Sequence, residues 1–229
     1  MPPRIVLDHI AIACATLAEG IDWVEERLGV RVPLGGKHPI MNTHNAVMSL
    51  GDGVYLEIVA ADPEAGPAER SRWFGLDDPE VKSRLAAEGP FLAAWIARSD
   101  DVARTVELAR TDLGKVYTMR RGELVWQIAI RDDGSVPMGG LHPIVIEWPP
   151  GPHVSTRMAD LGCRLERLVL RPTVAGSLET ALQAIGAEGL AEIRPPKRGG
   201  DLVEAVLRRP DGHHVSLAGG MPTRGRGCE

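Results

Sequence analysis

The sequence predicts an α+β fold built from three copies of one βαβββ pattern. Three observations predict it: a β-branched opening run, "IVLDHIAIAC", that leads into a capped amphipathic helix; three strand-like runs after that helix; and two further recurrences of the same order of elements along the 229 residues. A unit of this size cannot bury its own apolar sheet face, so copies must pair to form a core or a cleft.

In the first copy, Thr16 and Glu19 form a T-x-x-E capping box at the start of "TLAEGIDWVEERLG". Leu17, Ile21, Val24 and Leu28 share one helical face, and Gly29 ends the helix. The strand-like runs are "VRVPLG", "NAVMSLG" and "VYLEIVA", the last two joined by a turn at Gly51-Asp52-Gly53. In the second copy, "PFLAAWIAR" precedes a helix with Val102, Val106 and Ala109 on one face and Gly114 as its stop; "KVYTMRR", "LVWQIAIR" and "PIVIEW" follow. The third runs through "RLERLVLRP", the helix "GSLETALQAIG", then "LAEIRP", "LVEAVLRRP" and "HHVSLAG", with Asp211-Gly212 as a hairpin turn.

The expected organisation is a domain of two paired units over 1–150, a third unit over 151–219 and a disordered tail over 220–229. A Pro- and acid-rich insertion at 61–90 separates the first two copies. It carries Arg70, Arg72, Trp73 and Phe74 and a short helix with Asp78 as cap, Pro79 in the first turn and Gly89 beyond the end. It reads either as a lid over a cleft or as a surface excursion pinned by one buried tryptophan.

Composition narrows the function. Hydrophobic residues at 44% and charged ones at 25% fit a soluble globular protein, and a net charge of -5 with no basic cluster argues against a nucleic-acid partner. No apolar run approaches the roughly 20 residues that span a bilayer. Asp8 and His9 interrupt the N-terminal apolar run, which therefore reads as a strand and not a signal peptide. Cys14, Cys163 and Cys228 show neither metal-ligand spacing nor an even disulfide set, which points to a reduced, cytoplasmic protein. Cys14 has no local base to activate it.

Strand alternation in "VLDHIAI" puts Leu7, His9 and Ala11 on one face and Val6, Asp8, Ile10 and Ile12 on the other. The aliphatic set belongs against the helix, so His9 is expected in the concavity, as is Glu57 between Leu56 and Ile58. Ionisable groups aimed into a cleft must be solvated, paired or metal-bound. A His–Glu hydrogen bond would satisfy both without a metal.

With "LDHIAIA" opening a βαβββ unit, "GIDWVEERLG" as its helix and "THNAVMSLGDGVYLEIVAADP" closing it, the chain resembles the vicinal oxygen chelate superfamily and, within it, the glyoxalase-like domain group. The resemblance implies two units paired edge to edge in a half-open barrel around a cleft. It also implies a divalent metal held by residues of the first and last strands of each unit. Carried over, His9, Glu57 and Glu147 are the expected ligands, for Mn, Fe, Ni or Zn, with Glu147 and Glu57 as the catalytic carboxylates. The fourth ligand is missing, because "FLAAWIAR" offers Ala93 or Ala94 where a second imidazole would stand.

The implied activity is a small-molecule enzyme of lyase or isomerase type acting on adjacent substrate oxygens, a dioxygenase being disfavoured by the single placed histidine. The alternative is a metal-free binding or sequestration protein of the same fold. A homodimer is expected, with the third unit either pairing across a two-fold axis or capping the cleft.

"GGKHPI" at Gly35–Ile40 and "GGLHPI" at Gly139–Ile144 differ in one letter. Aligning the units on "YLEIV" and "IVIEW" puts His142 just before a last strand and His38 in a loop between second and third strands, so the echo is not a repeat. As the resemblance includes an HP stretch followed by T-x-N, His38, His44 and Asn45 are expected substrate contacts. Arg72, Trp73, Trp126 and His142 complete the expected substrate-binding set; whether Trp126 and Trp148 face the cleft is not decided by alternation.

Overall fold

The computed structural model describes residues 2–197 and 202–220; Cys228 and positions 221–229 of the expected tail lie outside them. Strand β1 (Ile5–Ala13) leads into α1 (Leu17–Leu28), whose expected cap forms, Glu19 N donating to the Thr16 hydroxyl at 3.3 Å. β2 (Leu34–His38), β3 (Thr43–Ser49) and β4 (Tyr55–Ala61) complete the first unit. β2 starts after Pro33, not at Val30, because proline cannot donate to a ladder; His38 therefore ends a strand and does not sit in a loop.

The insertion carries a one-turn 3-10 segment at Trp73–Gly75 and α2 (Pro79–Glu88), capped by Asp78. The second unit is β5 (Phe91–Ser99), α3 (Val102–Leu108), β6 (Lys115–Arg121), β7 (Leu124–Ile130) and β8 (Ile144–Glu147). α3 stops well before Gly114: Ala109 is extended, and the chain leaves the helix to bury Leu113 in the core.

Both units have one strand order, first-last-third-second, and they join where β1 and β5 run antiparallel from Ile5↔Ser99 to Ala13↔Phe91. The eight strands run β2-β3-β4-β1-β5-β8-β7-β6, and the two ends approach each other where Arg121 lies against Gly36. The curled sheet encloses a cleft formed within one chain.

The third segment comprises β9 (Arg164–Arg171), α4 (Ala175–Ala184), β10 (Glu192–Ile193), β11 (Leu202–Arg208) and β12 (His214–Gly219). Its order of elements matches the other units but its pairing does not, being β10-β9-β11-β12. The expectation of a third copy is corrected accordingly. Pro195 and Pro196 leave only two residues for β10, which is confined to an edge, while β12 meets β5 at Gly219↔Leu92. A Cβ at Gly219 would lie 2.2 Å from the Leu92 carbonyl oxygen, so this junction requires glycine.

Two apolar clusters divide the molecule. One joins Ile10 and Ile12 of β1, the faces of α1 and α3, and Leu168, Leu170, Leu178 and Leu207 of the third segment. The third segment thus backs the helix-bearing face and does not cap the cleft. The other lies in the concavity, where Trp73, Phe74, Leu76, Val81 and Leu85 of the insertion meet Trp126, Ile128, Ile144 and Ile146. The insertion is a wall of the cleft.

The β1–β5 register slips between Leu7 and His9, a bulge that leaves Asp8 unpaired. Ile5 and Leu7 consequently pack with the helix-side core, and Asp8 turns to the concave side with His9. Simple alternation had placed Leu7 with His9 and Asp8 opposite; the extra residue reverses both.

Candidate active site

β1 and β4 pair in parallel with His9 opposite Tyr55, and the two rings stack at 4.2 Å between centroids. Two residues along β4, Glu57 projects from the same face. His9 lies between two carboxylates: Nδ1 donates to Asp8 Oδ1 at 2.6 Å, and Nε2 faces Glu57 Oε2 at 3.4 Å. Asp8, although 0% exposed, also accepts from Trp148 Nε1 at 3.0 Å and His153 Nε2 at 2.9 Å, which ties the chain after β8 to the floor of the cleft.

His38, at the end of β2, approaches Glu57 from the other side, Nε2 to Oε1 at 3.9 Å. Asn45 sets the geometry between them. Its Oδ1 accepts from Gly36 N at 2.8 Å, so Nδ2 must point inward, donating to Glu57 Oε1 at 2.7 Å with His38 Nε2 at 3.4 Å. A donor facing His38 Nε2 makes that atom the lone-pair nitrogen, and Nδ1–H donates to Thr43 Oγ1 at 3.1 Å. The glycine pair before His38 has its reason here, since a Cβ at Gly35 would stand 2.3 Å from Asn45 Oδ1.

The two imidazoles are driven in opposite directions. Burial alone would lower the His9 pKa, but hydrogen bonds to Asp8 and Glu57 outweigh it and raise the value to about 9. Burial lowers His38 to about 4, and the Glu57 charge only partly opposes this. Burial would raise both carboxyls, yet hydrogen bonds from the histidines hold Asp8 and Glu57 at about 2. At neutral pH the floor is therefore an imidazolium between two carboxylates, with a neutral imidazole alongside.

Trp73, Trp126, Trp148 and Phe74 wall the narrow space above, which measures about 40 Å³ before it opens to solvent. Trp73 meets the His38 ring edge-on at 4.9 Å, and Trp126 packs against Trp148 at 5.5 Å. Phe74 stands in the left-handed region, φ 58°, a conformation rarely adopted by a bulky residue, in this wall. A larger groove between the first unit and the third segment has Arg164 and Arg208 paired with Asp160 and Glu166 and contains none of these groups.

Of the expected site residues, the structure brings together His9, Glu57, His38, Asn45, Trp73 and Trp126. Four others are elsewhere. Glu147 points to the helix side, because Ile146 and Trp148 take the cleft face, and its Oε2 accepts from Val102 N at the start of α3. His44 is one residue out of phase with Asn45 and faces away; His142 is buried against the backbone of Pro143 and Ala181. Arg72 pairs with Asp77 at 2.6 Å and donates to Asn42 O at 3.1 Å, anchoring the chain just before Trp73.

Sequence reasoning missed Asp8, Tyr55, His153 and Arg121, and left the orientation of Trp148 open. Tyr55 had a signal, since it shares a face with Glu57; Asp8 was hidden by the bulge. The ligand set His9, Glu57 and Glu147 is not assembled. Glu147 is on the other face, both His9 nitrogens are engaged by carboxylates, and no group of three His, Cys, Asp or Glu among the described residues is arranged to hold a metal ion. The donor set does not fit the implied divalent metal.

Comparison with known proteins gives one family match and several structural likenesses. A family model described as "Glyoxalase-like domain" matches residues 7–186. A crystal structure of a hypothetical protein from Staphylococcus aureus is 11% identical, with 93% of this chain and 88% of that chain covered and a TM-score of 0.52. That likeness supports the fold, the third segment included. Methylmalonyl-CoA epimerase from Mycobacterium tuberculosis is 20% identical, covering 63% of this chain and 89% of that one, at a TM-score of 0.42. No curated protein matches the chain. No helix among the described residues is long and apolar enough to cross a membrane.

Proposed function

Since the chain belongs to the glyoxalase-like domain family, we propose that it is a small-molecule enzyme of isomerase or lyase type that moves a proton with His38 as base and His9 as acid. One observation carries this reading. Two imidazoles face one carboxylate, Glu57, at 3.4 and 3.9 Å, and their surroundings hold one charged and the other neutral. Titratable neighbours pushed apart in this way divide the acid and base roles between them.

The chemistry balances without further groups. His38 Nε2 takes a proton from a carbon next to a substrate carbonyl; the C–H electron pair passes into the carbonyl and forms an enolate. His9 Nε2 gives its proton to the enolate oxygen. Glu57 lies beside whichever imidazole is charged, so the floor keeps its net charge through the transfer. Asp8 is a positioning residue, fixing the ring of His9 from the far side.

Sequestration of a flat ligand is the second reading, favoured by the three indoles around the space. Hydrogen exchange separates the two. Enolisable 2-oxo acids and α-hydroxy ketones incubated with the protein in D₂O should exchange their α-proton, read by proton NMR, and His38→Gln should abolish it. Binding without exchange for every compound would overturn the enzyme reading in favour of sequestration.

A further inference from the structure

The polar groups of the cleft fall into two classes. The acceptors are used: Glu57 by Asn45 and His9, and Asp8 by His9, Trp148 and His153. Two donors are not. Arg121, the last residue of β6, lines the space half-buried, and its guanidinium has no hydrogen-bond or carboxylate partner among the described residues. The buried indole N–H of Trp73 has no partner there either. A cavity with satisfied acceptors and unsatisfied donors is complementary to an anion.

Charge leads to the same conclusion. Asp8 and Glu57 carry two negative charges at neutral pH, and His9 with Arg98, whose Nη1 lies 3.9 Å from Asp8 Oδ2, carries two positive ones. Arg121 is left over, so the cleft has one positive charge in excess. The guanidinium stands at the seam where β2 and β6 approach, its side chain packed over Gly36 on the strand that ends in His38. An anion on Arg121 is thereby held at the rim on the His38 side, with the aromatic walls beside it.

We propose that the substrate is an organic 2-oxo carboxylate with a flat apolar body, its carboxylate held by Arg121 and its body between the indoles, so that the C–H carbon on the far side of the keto group lies toward His38. Planar guanidinium suits a carboxylate through two parallel N–H donors, and this makes arginine and lysine unequal at such a site. The inference deepens the acid–base reading and rests on it for the reacting carbon, but not for the anion site itself.

The test is equilibrium binding followed by tryptophan fluorescence, with phenylpyruvate and its methyl ester as probes. Wild-type protein should prefer the acid over the ester by roughly 10-fold or more, and Arg121→Gln should weaken acid binding by roughly 10–100-fold while leaving the ester unchanged. Arg121→Lys should recover only part of the loss. Equal affinity for acid and ester, unchanged acid binding in Arg121→Gln, or no binding of the acid at millimolar concentration would overturn the proposal. Acid binding through Arg121 without α-proton exchange would instead leave the anion site standing and remove the enzyme reading.

Discussion

The two units of the barrel share a strand order and differ in what they put into the cleft. The first contributes a charged floor, Asp8, His9, His38, Asn45 and Glu57; the second contributes a wall of Trp126, Ile128, Ile146 and Trp148 with Arg121 at its rim. Where β1 offers His9, β5 offers Ala93 and Ala94, and where β4 offers Glu57, β8 turns Ile146 inward and Glu147 outward. Pseudo-symmetry thus conserves the position of a side chain and not its chemistry. A site requiring ligands from both halves cannot form here, whereas one needing a polar floor under an apolar wall can.

The contrast is open to test, the largest effect lying on the floor. Asp8→Ala leaves the charged His9 short of a partner and strips Trp148 and His153 of theirs; it should cost about 3–5 kcal/mol in urea unfolding. On the wall, Ile146→Val should cost only about 1 kcal/mol. Equal losses would break the distinction between the halves.

The pH dependence of stability comes next. Asp8 and Glu57, both lowered to about 2, contribute stability that is present above their unfolded values near 4 and lost as pH falls through about 2. His38, lowered to about 4, costs stability as pH falls from the unfolded 6.5 toward 4, because the unfolded chain takes the proton first. His9, raised to about 9, contributes fully below 6.5 and loses that contribution as pH rises through about 9. Unfolding free energies across pH 2–9 should therefore fall at both ends in wild type, and the loss between about pH 6.5 and 9 should vanish in His9→Gln.

A smaller change sharpens the account of the glycine pair. Gly35→Ala should displace the Asn45 amide and destabilise by about 1–3 kcal/mol. Gly139→Ala in the echo sequence belongs to a turn with φ 64° and should leave the histidine signals of the cleft unmoved. The smallest effect is expected at Glu147. Replacing it by alanine removes an acceptor at the start of α3, worth about 1 kcal/mol, and should not alter the titration of His9 or His38. An altered titration would return Glu147 to the site.

Most of the fold was legible because its signals are local. The Thr16 and Asp78 caps, the turn at Gly51-Asp52-Gly53 and the strand of "KVYTMRR" follow from neighbours in sequence, and the structure has each of them. The pairing of the third segment was not legible, since it depends on where β12 finds a free edge. In the site, His9, Glu57, His38 and Asn45 could be found from alternation and the family resemblance. Asp8 could not, because one bulged residue in β1 shifts the phase of everything before it. Trp148 and His153 converge on Asp8 from 140 and 145 residues away, a proximity that no local pattern encodes.

The opposed protonation of the two imidazoles is tested most directly by an NMR titration of the histidine rings, assigned with His9→Gln and His38→Gln. The account predicts that His9 keeps its proton until about pH 9 and that His38 stays neutral down to about pH 4. Both rings titrating together near 6.5 would contradict it, as would a neutral His9 at pH 7, since the cleft would then hold no standing acid beside its base.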